Sequence, residues 1–279
     1  MGTDKRARQK EFHRSRLEAA RKEAAAAKRR QRVIRIGGVV AVTVILVGVM
    51  ALFGDRDDSS KEAGKKNAST TTSTVESAAA TLKGPGQGAA IKGDTPCPKA
   101  DGSSERTTSF ENPPPMCIDA SKTYTATFET TKGTFTATLD AKAAPKTVNN
   151  FVVLARFHFY DGIPFHRIVP DFVIQAGDPS DSPSGKGGPG YSIEEEPPAD
   201  KTYEKYDLAM AKAQAPKSTG SQFFVVTGDP AALNATATYS LFGKVTDGTD
   251  VVDAIAVTPV TGDTPNEQVT INKVTITES

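Results

Sequence analysis

The stretch FHFYDGIPFHRIVPDFVIQAGDP, residues 157–179, carries the most information about this chain. Asp161-Gly162 indicates a turn, and Phe165 to Ile174 is apolar at most positions, as in a buried strand. Arg167 places a permanent charge in that strand, and the charge must reach water, a carboxylate or a ligand. Gln175 lies eight residues further on, so an alternating strand puts both side chains on one face. Two interpretations follow: a core salt bridge, or a polar pair facing an apolar groove.

The formal net charge of +1 hides a strongly basic N-terminus. Residues 1–35 hold thirteen Lys or Arg against four acidic residues, and the composition of residues 10–35 favours a helix. Such a segment can bind nucleic acid or the anionic headgroups of a membrane. The apolar run that follows it favours the membrane, so we expect no nucleic-acid partner.

Residues 36–54, IGGVVAVTVILVGVMALFG, are nineteen consecutive uncharged residues, close to the about 20 that a helix needs to cross a bilayer. A buried helix of this length without a polar face is unusual, and a cleavable signal peptide has a shorter basic region and a small-residue cleavage site. The run therefore predicts a single-pass signal-anchor with membrane lipid as its partner. The basic flank predicts a cytoplasmic N-terminus, with everything after Gly54 on the extracytoplasmic side of the cell membrane.

The region after the apolar run has the composition of a linker. Residues 55 to about 96 are rich in Ser, Thr, Ala, Gly and Lys, so they cannot bury enough apolar surface to fold. We predict a flexible linker over residues 55–121. It contains both cysteines of the chain, Cys97 and Cys117. An oxidising compartment and an even number favour a disulfide between them, the alternative being a buried pair of free thiols.

From residue 122 to residue 279 the sequence has the pattern of a folded domain. Residues 123–129 and 133–140 alternate in polarity and predict a hairpin, and residues 145–157 have helical periodicity. Further strands are predicted at 165–174, 207–211, 222–227, 240–245 and 268–278, with a second helix at 250–256. Many short strands with two helices predict a mainly β domain, a closed or nearly closed barrel with helices at its ends.

The sequence offers no pattern typical of cofactor or metal binding. GKGGPG at residues 185–190 has the spacing of a dinucleotide-binding loop, but Pro189 interrupts it and no helix pattern follows. Two cysteines and three scattered histidines give no metal-binding spacing. We therefore expect no cofactor and no metal, and we interpret the acidic residues 194–196 as a solvated surface.

Several segments resemble the cyclophilin-type peptidyl-prolyl cis-trans isomerases. They are FYDG, FHR and FVIQAGD within the opening stretch, then LAMA at 208–211, GSQFF at 220–224 and LFGKV at 241–245. They follow the order of the family, and the resemblance covers roughly residues 122–279. It implies an eight-stranded closed antiparallel β-barrel capped by two helices, with an outer groove that binds proline-containing polypeptides.

The resemblance also implies roles for individual residues. Arg167 matches the catalytic arginine of the family, and Gln175 is expected to orient its guanidinium or the substrate carbonyl. The expected substrate-binding residues are Phe172, Val173, Ala211, Gln222, Phe224, Leu233 and Tyr239. Tyr239 stands where a histidine is common at the rim, and the chain has no Trp, which many family members carry there.

These residue types suit rotation about an Xaa-Pro bond, which needs neither a nucleophile nor a metal. The barrier is about 18–20 kcal/mol because resonance keeps the peptide bond planar. An apolar pocket can hold the proline ring while a guanidinium donates a hydrogen bond to the prolyl nitrogen as the bond twists. The sequence therefore predicts a rotamase that assists the folding of exported proteins. Two alternatives stay open: a proline-peptide-binding or chaperone module with little turnover, and a scaffold that works through the basic N-terminus.

Overall fold

The computed structural model describes residues 79–199, 202–213 and 218–279. The predicted cytoplasmic segment 1–35, the predicted membrane span 36–54 and the linker up to residue 78 lie outside these residues. Within the described ranges, no helix is both long and apolar enough to span a membrane.

Three helices and thirteen strands lie in the described ranges. The helices are α1 (Pro145–Arg156), α2 (Ala231–Asn234) and α3 (Thr249–Ala256). The strands are β1 (Ala89–Ile91), β2 (Thr107–Phe110), β3 (Tyr124–Thr130), β4 (Gly133–Leu139), β5 (Ile163–Pro164), β6 (Arg167–Val169), β7 (Val173–Ala176), β8 (Asp207–Lys212), β9 (Thr219–Val226), β10 (Leu241–Asp247), β11 (Val260–Thr261), β12 (Thr264–Pro265) and β13 (Thr270–Glu278).

Nine strands form one antiparallel sheet in the order β5-β13-β3-β4-β10-β8-β9-β7-β6. The two outer strands, β5 and β6, are consecutive in the chain and separated only by Phe165 and His166. The Phe165 N–H donates to the Val269 carbonyl before β13, whereas the His166 N–H donates to the Gln175 carbonyl of β7. The predicted eight-stranded closed barrel is therefore corrected to a curled nine-stranded sheet with two edges, because the chain changes hydrogen-bonding partners at this point.

The opening stretch forms a hairpin instead of the single strand predicted over residues 165–174. β6 pairs with β7, so Arg167 lies directly opposite Gln175. The turn between them includes Asp171, whose φ is 56°, and the Phe172 N–H donates back to the Val169 carbonyl. Eight residues along one strand would span about 26 Å. The hairpin instead makes the arginine and the glutamine cross-strand neighbours.

The core lies between the sheet and α1. β3 and β4 alternate buried and more exposed residues, as the sequence predicts, and Phe128 stacks on Phe135 with ring centroids 4.5 Å apart. Phe151 of α1 is fully buried and meets Phe223 edge to face at 5.7 Å. This packing holds in place the sheet strands that carry the candidate site, including β7 and β9.

A distant carboxylate caps the start of α1. Glu196 Oε2 accepts hydrogen bonds from the N–H and the hydroxyl of Thr147, both at 2.8 Å, and Oε1 accepts from the Lys146 N–H at 3.2 Å. A carboxylate in this place satisfies free N–H groups and opposes the positive end of the helix dipole. Glu196 therefore stabilises α1, which differs from the solvated surface predicted for residues 194–196.

Residues 79–121, which we call the strap, pack against the domain, although the sequence predicts a flexible linker there. β1 and β2 pair in parallel, and the predicted disulfide joins Cys97 to Cys117. Phe110 and Ile118 are buried in the main core. The prediction from composition failed because a few apolar side chains and one covalent link hold the strap, and an average over the segment does not register them.

Candidate active site

Arg167 lies on the edge strand β6, and its side chain is 39% exposed. Its Nε donates to Asp263 Oδ2 at 3.0 Å, and that carboxylate is itself 52% exposed. The Ile168 N–H donates to the Asp263 carbonyl, which holds the aspartate beside β6. The guanidinium is therefore paired at the surface, which disagrees with the core salt bridge that was one of the two interpretations of the sequence.

A row of side-chain amides continues from Arg167 along the groove. Arg167 Nη1 lies 3.5 Å from Gln175 Oε1, and Gln175 Nε2 donates to Gln222 Oε1 at 3.0 Å. Gln222 Nε2 then donates to the Gly187 carbonyl at 2.8 Å. We call Arg167, Gln175 and Gln222 the polar line. Each amide turns its oxygen toward the arginine, so their dipoles point the same way and support the guanidinium charge.

Beside the polar line, six of the predicted site residues pack around one apolar cluster. We call these six the apolar pocket: Phe172, Val173, Ala211, Phe224, Leu233 and Tyr239. Phe224 is 4% exposed and Leu233 is 6% exposed, whereas Phe172 and Tyr239 are half-buried at the rim. The rings of Phe224 and Tyr239 meet edge to face, with centroids 5.3 Å apart. The pocket thus has a buried floor and an aromatic rim.

Tyr203 supports this pocket, although no sequence pattern predicts it. Its hydroxyl donates to the Tyr239 carbonyl at 2.6 Å and accepts from the Tyr239 N–H at 2.9 Å. Asn234 Oδ1 accepts from the Tyr203 N–H at 2.7 Å, which ties α2 to the same point. Burial raises the pKa of Tyr203 to about 12, so the hydroxyl stays protonated and keeps donating. The surrounding KTYEKYD has no apolar alternation that would indicate a buried ring.

A cavity of about 300 Å³ opens on the other side of the polar line. Its lining includes Gln175, Gln222 and Ala211 together with Gly185 and Gly187. Ala211 therefore lies between this cavity and the apolar pocket. A larger cavity of about 670 Å³ lies elsewhere, at β4, β8 and β10, and contains none of the predicted site residues.

The glycine-rich loop, residues 177–190, is anchored by the buried carboxylate of Asp178. Oδ2 accepts the N–H groups of residues 184–186 at 2.8 to 3.2 Å, and Oδ1 accepts the Ser180 N–H at 3.0 Å. Burial alone would raise the pKa of the Asp178 carboxyl, but the hydrogen bonds, led by those from Ser180, hold it below its ordinary value. The anchor fixes the loop that supplies the Gly187 carbonyl to the polar line.

His166 precedes Arg167 but takes no part in the polar line. Its side chain is buried, and neither ring nitrogen has a hydrogen-bond partner among the described residues. Burial lowers the pKa of His166; Asp178 opposes that shift, and the arginine charge adds to it. The ring is therefore neutral near pH 7.

The arrangement combines one cation, two amides and an apolar pocket. It can hold an apolar ring in place and donate hydrogen bonds beside it, and it can accept the N–H groups of an extended backbone. In residues 79–199, 202–213 and 218–279, no group of three or more His, Cys, Asp or Glu side chains is placed to bind a metal ion.

Comparisons with known proteins point to one family. The family model described as "Cyclophilin type peptidyl-prolyl cis-trans isomerase/CLD" matches residues 125–276. The "Probable peptidyl-prolyl cis-trans isomerase A" of Mycobacterium leprae is 41% identical over 171 residues, covering 54% of this chain and 91% of that protein. The "Peptidyl-prolyl cis-trans isomerase B" of Streptomyces anulatus is 39% identical over 171 residues, with 54% and 95% covered.

Solved structures agree with these matches. A cyclophilin type peptidyl-prolyl cis-trans isomerase of Cryptosporidium parvum is similar with a TM-score of 0.51 at 28% identity, over 56% of this chain and 98% of that chain. A second structure of that protein, obtained in the presence of the dipeptide Ala-Pro, is similar with a TM-score of 0.51 at 29% identity, over 55% and 98%.

Proposed function

Because this chain belongs to the cyclophilin-type peptidyl-prolyl cis-trans isomerase family, we propose that its groove is the place where Xaa-Pro bonds rotate. The chain is an isomerase, and we propose which of its residues act and which bonds are its substrates. The observation that supports it is that the polar line lies directly beside the apolar pocket, since Gln175 is paired with Phe224 across β7 and β9. A proline ring in the pocket brings its own ring nitrogen to the side of the groove where Arg167 lies.

The apolar pocket is suited to hold the ring. Phe224 and Leu233 give it a largely dehydrated floor, and the half-buried Tyr239 closes one side. Burying an apolar ring of this size is favourable, and it fixes one half of the rotating bond. The dipeptide Ala-Pro used with the similar Cryptosporidium parvum structure supports a proline-containing ligand for this chain.

The polar line is suited to stabilise the twisted bond. Uncatalysed Xaa-Pro bonds isomerise over about tens to hundreds of seconds, because twisting destroys the amide resonance. As the bond twists, the nitrogen lone pair localises and accepts a hydrogen bond from Arg167. That bond is stronger in the transition state than in the planar ground state, as catalysis requires. Gln175 holds the guanidinium and Gln222 meets the substrate backbone, and no proton is transferred.

Isomerisation of a short Xaa-Pro peptide by the full chain tests the role of Arg167. We expect Arg167→Ala to lower kcat/KM by about 100- to 1,000-fold, in the range for loss of one transition-state donor. The loss should lie in kcat, because the pocket that binds proline remains. Arg167→Lys is the matched control, since it keeps the charge but loses the planar fork, and should recover only part of the rate. Equal rates for wild type and Arg167→Ala would refute this mechanism.

A second candidate is a proline-peptide-binding or chaperone module with little turnover. The favouring observation is that Arg167 already donates its Nε to Asp263, so the groove can hold a peptide with the guanidinium partly engaged elsewhere. Titration of the full chain with a proline peptide separates the two. Binding that is as tight in Arg167→Ala as in wild type, together with equal cellular complementation by both, favours the module.

The organisation of the whole chain completes the proposal. The basic segment 1–35, the apolar run 36–54 and the acidic remainder favour a single-pass anchor that holds the isomerase domain of residues 122–279 outside the cell membrane. The bonded cysteines suit that side, since disulfides persist in oxidising compartments. Its substrates would then be exported chains during folding. Protease digestion of whole cells tests this placement, because a cytoplasmic domain would remain protected.

A further inference from the structure

The strap lies outside the family match, which begins at residue 125, yet it contacts both ends of the glycine-rich loop. The Gly84 N–H donates to the Asp181 carbonyl at 2.9 Å, and the Phe110 N–H donates to the Pro189 carbonyl at 2.8 Å. A segment added to the family domain therefore holds the outer side of a loop whose inner side lines the groove.

Phe110 makes the second of these contacts, at the end of the loop that leads back toward the groove. Its side chain is 2% exposed, and its ring lies 5.5 Å from that of Phe157 and 6.1 Å from that of Tyr191, measured between centroids. Gly190 has φ of 106°, and a Cβ there would lie 2.4 Å from the Phe110 carbonyl oxygen. The backbone of the loop thus approaches the strap so closely that only glycine fits.

The same loop reaches the polar line three residues earlier. The Gly187 carbonyl accepts from Gln222 Nε2 at 2.8 Å, and Gly187 also lines the 300 Å³ cavity beside Gln175. A shift of the loop would move this carbonyl and release the Gln222 amide that supports Gln175. The connection from Phe110 to Arg167 therefore consists of one short loop and two side-chain amides.

Covalent and polar contacts hold Phe110 in its place. The disulfide between Cys97 and Cys117 closes the segment that contains it. The Cys117 N–H donates to Asn149 Oδ1 at 2.7 Å, and Asn149 Nδ2 donates to the Pro115 carbonyl at 2.9 Å. Asn149 belongs to α1 and is 4% exposed, so the disulfide-closed segment is fixed to a rigid helix of the core.

We propose that the strap is a positioning element of the peptide groove, and that Phe110 is the positioning residue through which it fixes the glycine-rich loop. Phe110 contacts no substrate; it sets the place of the Gly187 carbonyl and so the geometry of the polar line and the neighbouring cavity. The proposal rests on the proposed function, since it concerns the same groove.

The test compares Phe110→Ala and Phe110→Leu with wild type in the full chain, at a temperature where all are folded. Hydrogen exchange of residues 179–190 reports the order of the loop, and isomerisation of an Xaa-Pro peptide gives KM and kcat. Leu139→Ala is the control, since it truncates a buried side chain of β4 beside the separate 670 Å³ cavity, which contains none of the predicted site residues. For Phe110→Ala we expect faster exchange in the loop and a KM raised about tenfold, equal to about 1.4 kcal/mol. Phe110→Leu should restore much of the slow exchange in the loop and much of the low KM.

Exchange and KM in Phe110→Ala that match those of Leu139→Ala would overturn the proposal, because the strap would then act on stability alone. A wild-type chain without turnover would instead refute the proposed function, and the exchange of the loop would still decide the role of the strap. If Phe110→Ala does not fold, the role of the strap is decided by Phe110→Leu and by breaking the disulfide between Cys97 and Cys117. Reduction of wild type should raise exchange and KM in the same direction, whereas Cys97→Ser/Cys117→Ser should show raised values that reductant does not change.

Discussion

The two sides of the groove are built in different ways. The polar line consists of partly exposed side chains that hold one another through single hydrogen bonds, and Arg167 is 39% exposed. The apolar pocket is made of side chains that also belong to a hydrophobic cluster of the fold, and Phe224 is 4% exposed. One side can therefore change with little effect on the fold, whereas the other cannot.

This difference separates two kinds of contribution. An exposed ion pair such as that of Arg167 with Asp263 contributes about 0–1 kcal/mol to stability, so little of the stability of the fold depends on this arginine. Burial of a large apolar side chain contributes several times more. Under the proposed function, the pocket serves folding and substrate binding together, and the polar line serves the reaction. Substitutions on the two sides should separate stability from kcat.

The largest effect on stability is expected for Phe224→Ala. Truncating a fully packed phenylalanine costs about 3–5 kcal/mol in free energy of unfolding, from lost burial and the cavity left behind. Denaturant unfolding of the full chain measures it, with Arg167→Ala as the comparison variant at less than about 1 kcal/mol. Tyr239→Ala, at the half-buried rim, should fall between them. A Phe224→Ala chain of unchanged stability would remove the distinction between the two sides.

The opening stretch shows how far the sequence predicts this site. The resemblance predicted Arg167, Gln175, Gln222 and the pocket residues as the site, and the structure brings these residues together. Alternation along a single strand, which predicted the pairing of Arg167 with Gln175, is wrong, however. The shared face comes from the register of a hairpin and not from alternation along one strand. A turn through Pro170-Asp171 is a short signal inside an apolar run, so periodicity alone does not reveal it.

The residues that the sequence did not reveal act from a distance. Asp263 reaches Arg167 across 96 positions of sequence, and Tyr203 reaches Tyr239 across 36. Neither lies in a segment with a periodic pattern, and both depend on how separate strands meet. The strap was predicted as a linker for a similar reason, since its burial rests on Phe110 and a disulfide within a polar segment. Local sequence patterns predict helices and strands, whereas the contacts between these elements can be read only from the folded structure.

The next largest effect is expected for Asp178, which supports the polar line through the glycine-rich loop. Asp178→Ala leaves buried N–H donors without an acceptor, and we expect a loss of about 2–3 kcal/mol in free energy of unfolding together with a lower kcat/KM. Asp181→Ala, an exposed carboxylate of the same loop, is the matched control and should be near neutral. Because the folded pKa of Asp178 is depressed, its contribution is complete above about pH 4 and is lost as the pH falls through the folded value. A stable Asp178→Ala chain with normal kinetics would show that the loop does not need this anchor.

The smallest effect concerns His166, and it sharpens the same comparison through pH. Burial lowers the folded pKa of His166, so the unfolded chain takes up a proton first, near pH 6.5. Stability should therefore be complete above about pH 6.5 and fall by at most about 1.4 kcal/mol per pH unit below it, until the folded pKa is reached. The His166→Asn variant should lose this dependence of stability on pH. The contribution of Asp178 does not interfere, because it is still complete at pH 5.5 and is the same in wild type and in His166→Asn. The polar line consists of one arginine and two neutral amides, and it contains neither a histidine nor a carboxylate. The kcat of the folded enzyme should accordingly stay constant while its stability declines, and a kcat that titrates with His166 would place that histidine in the reaction.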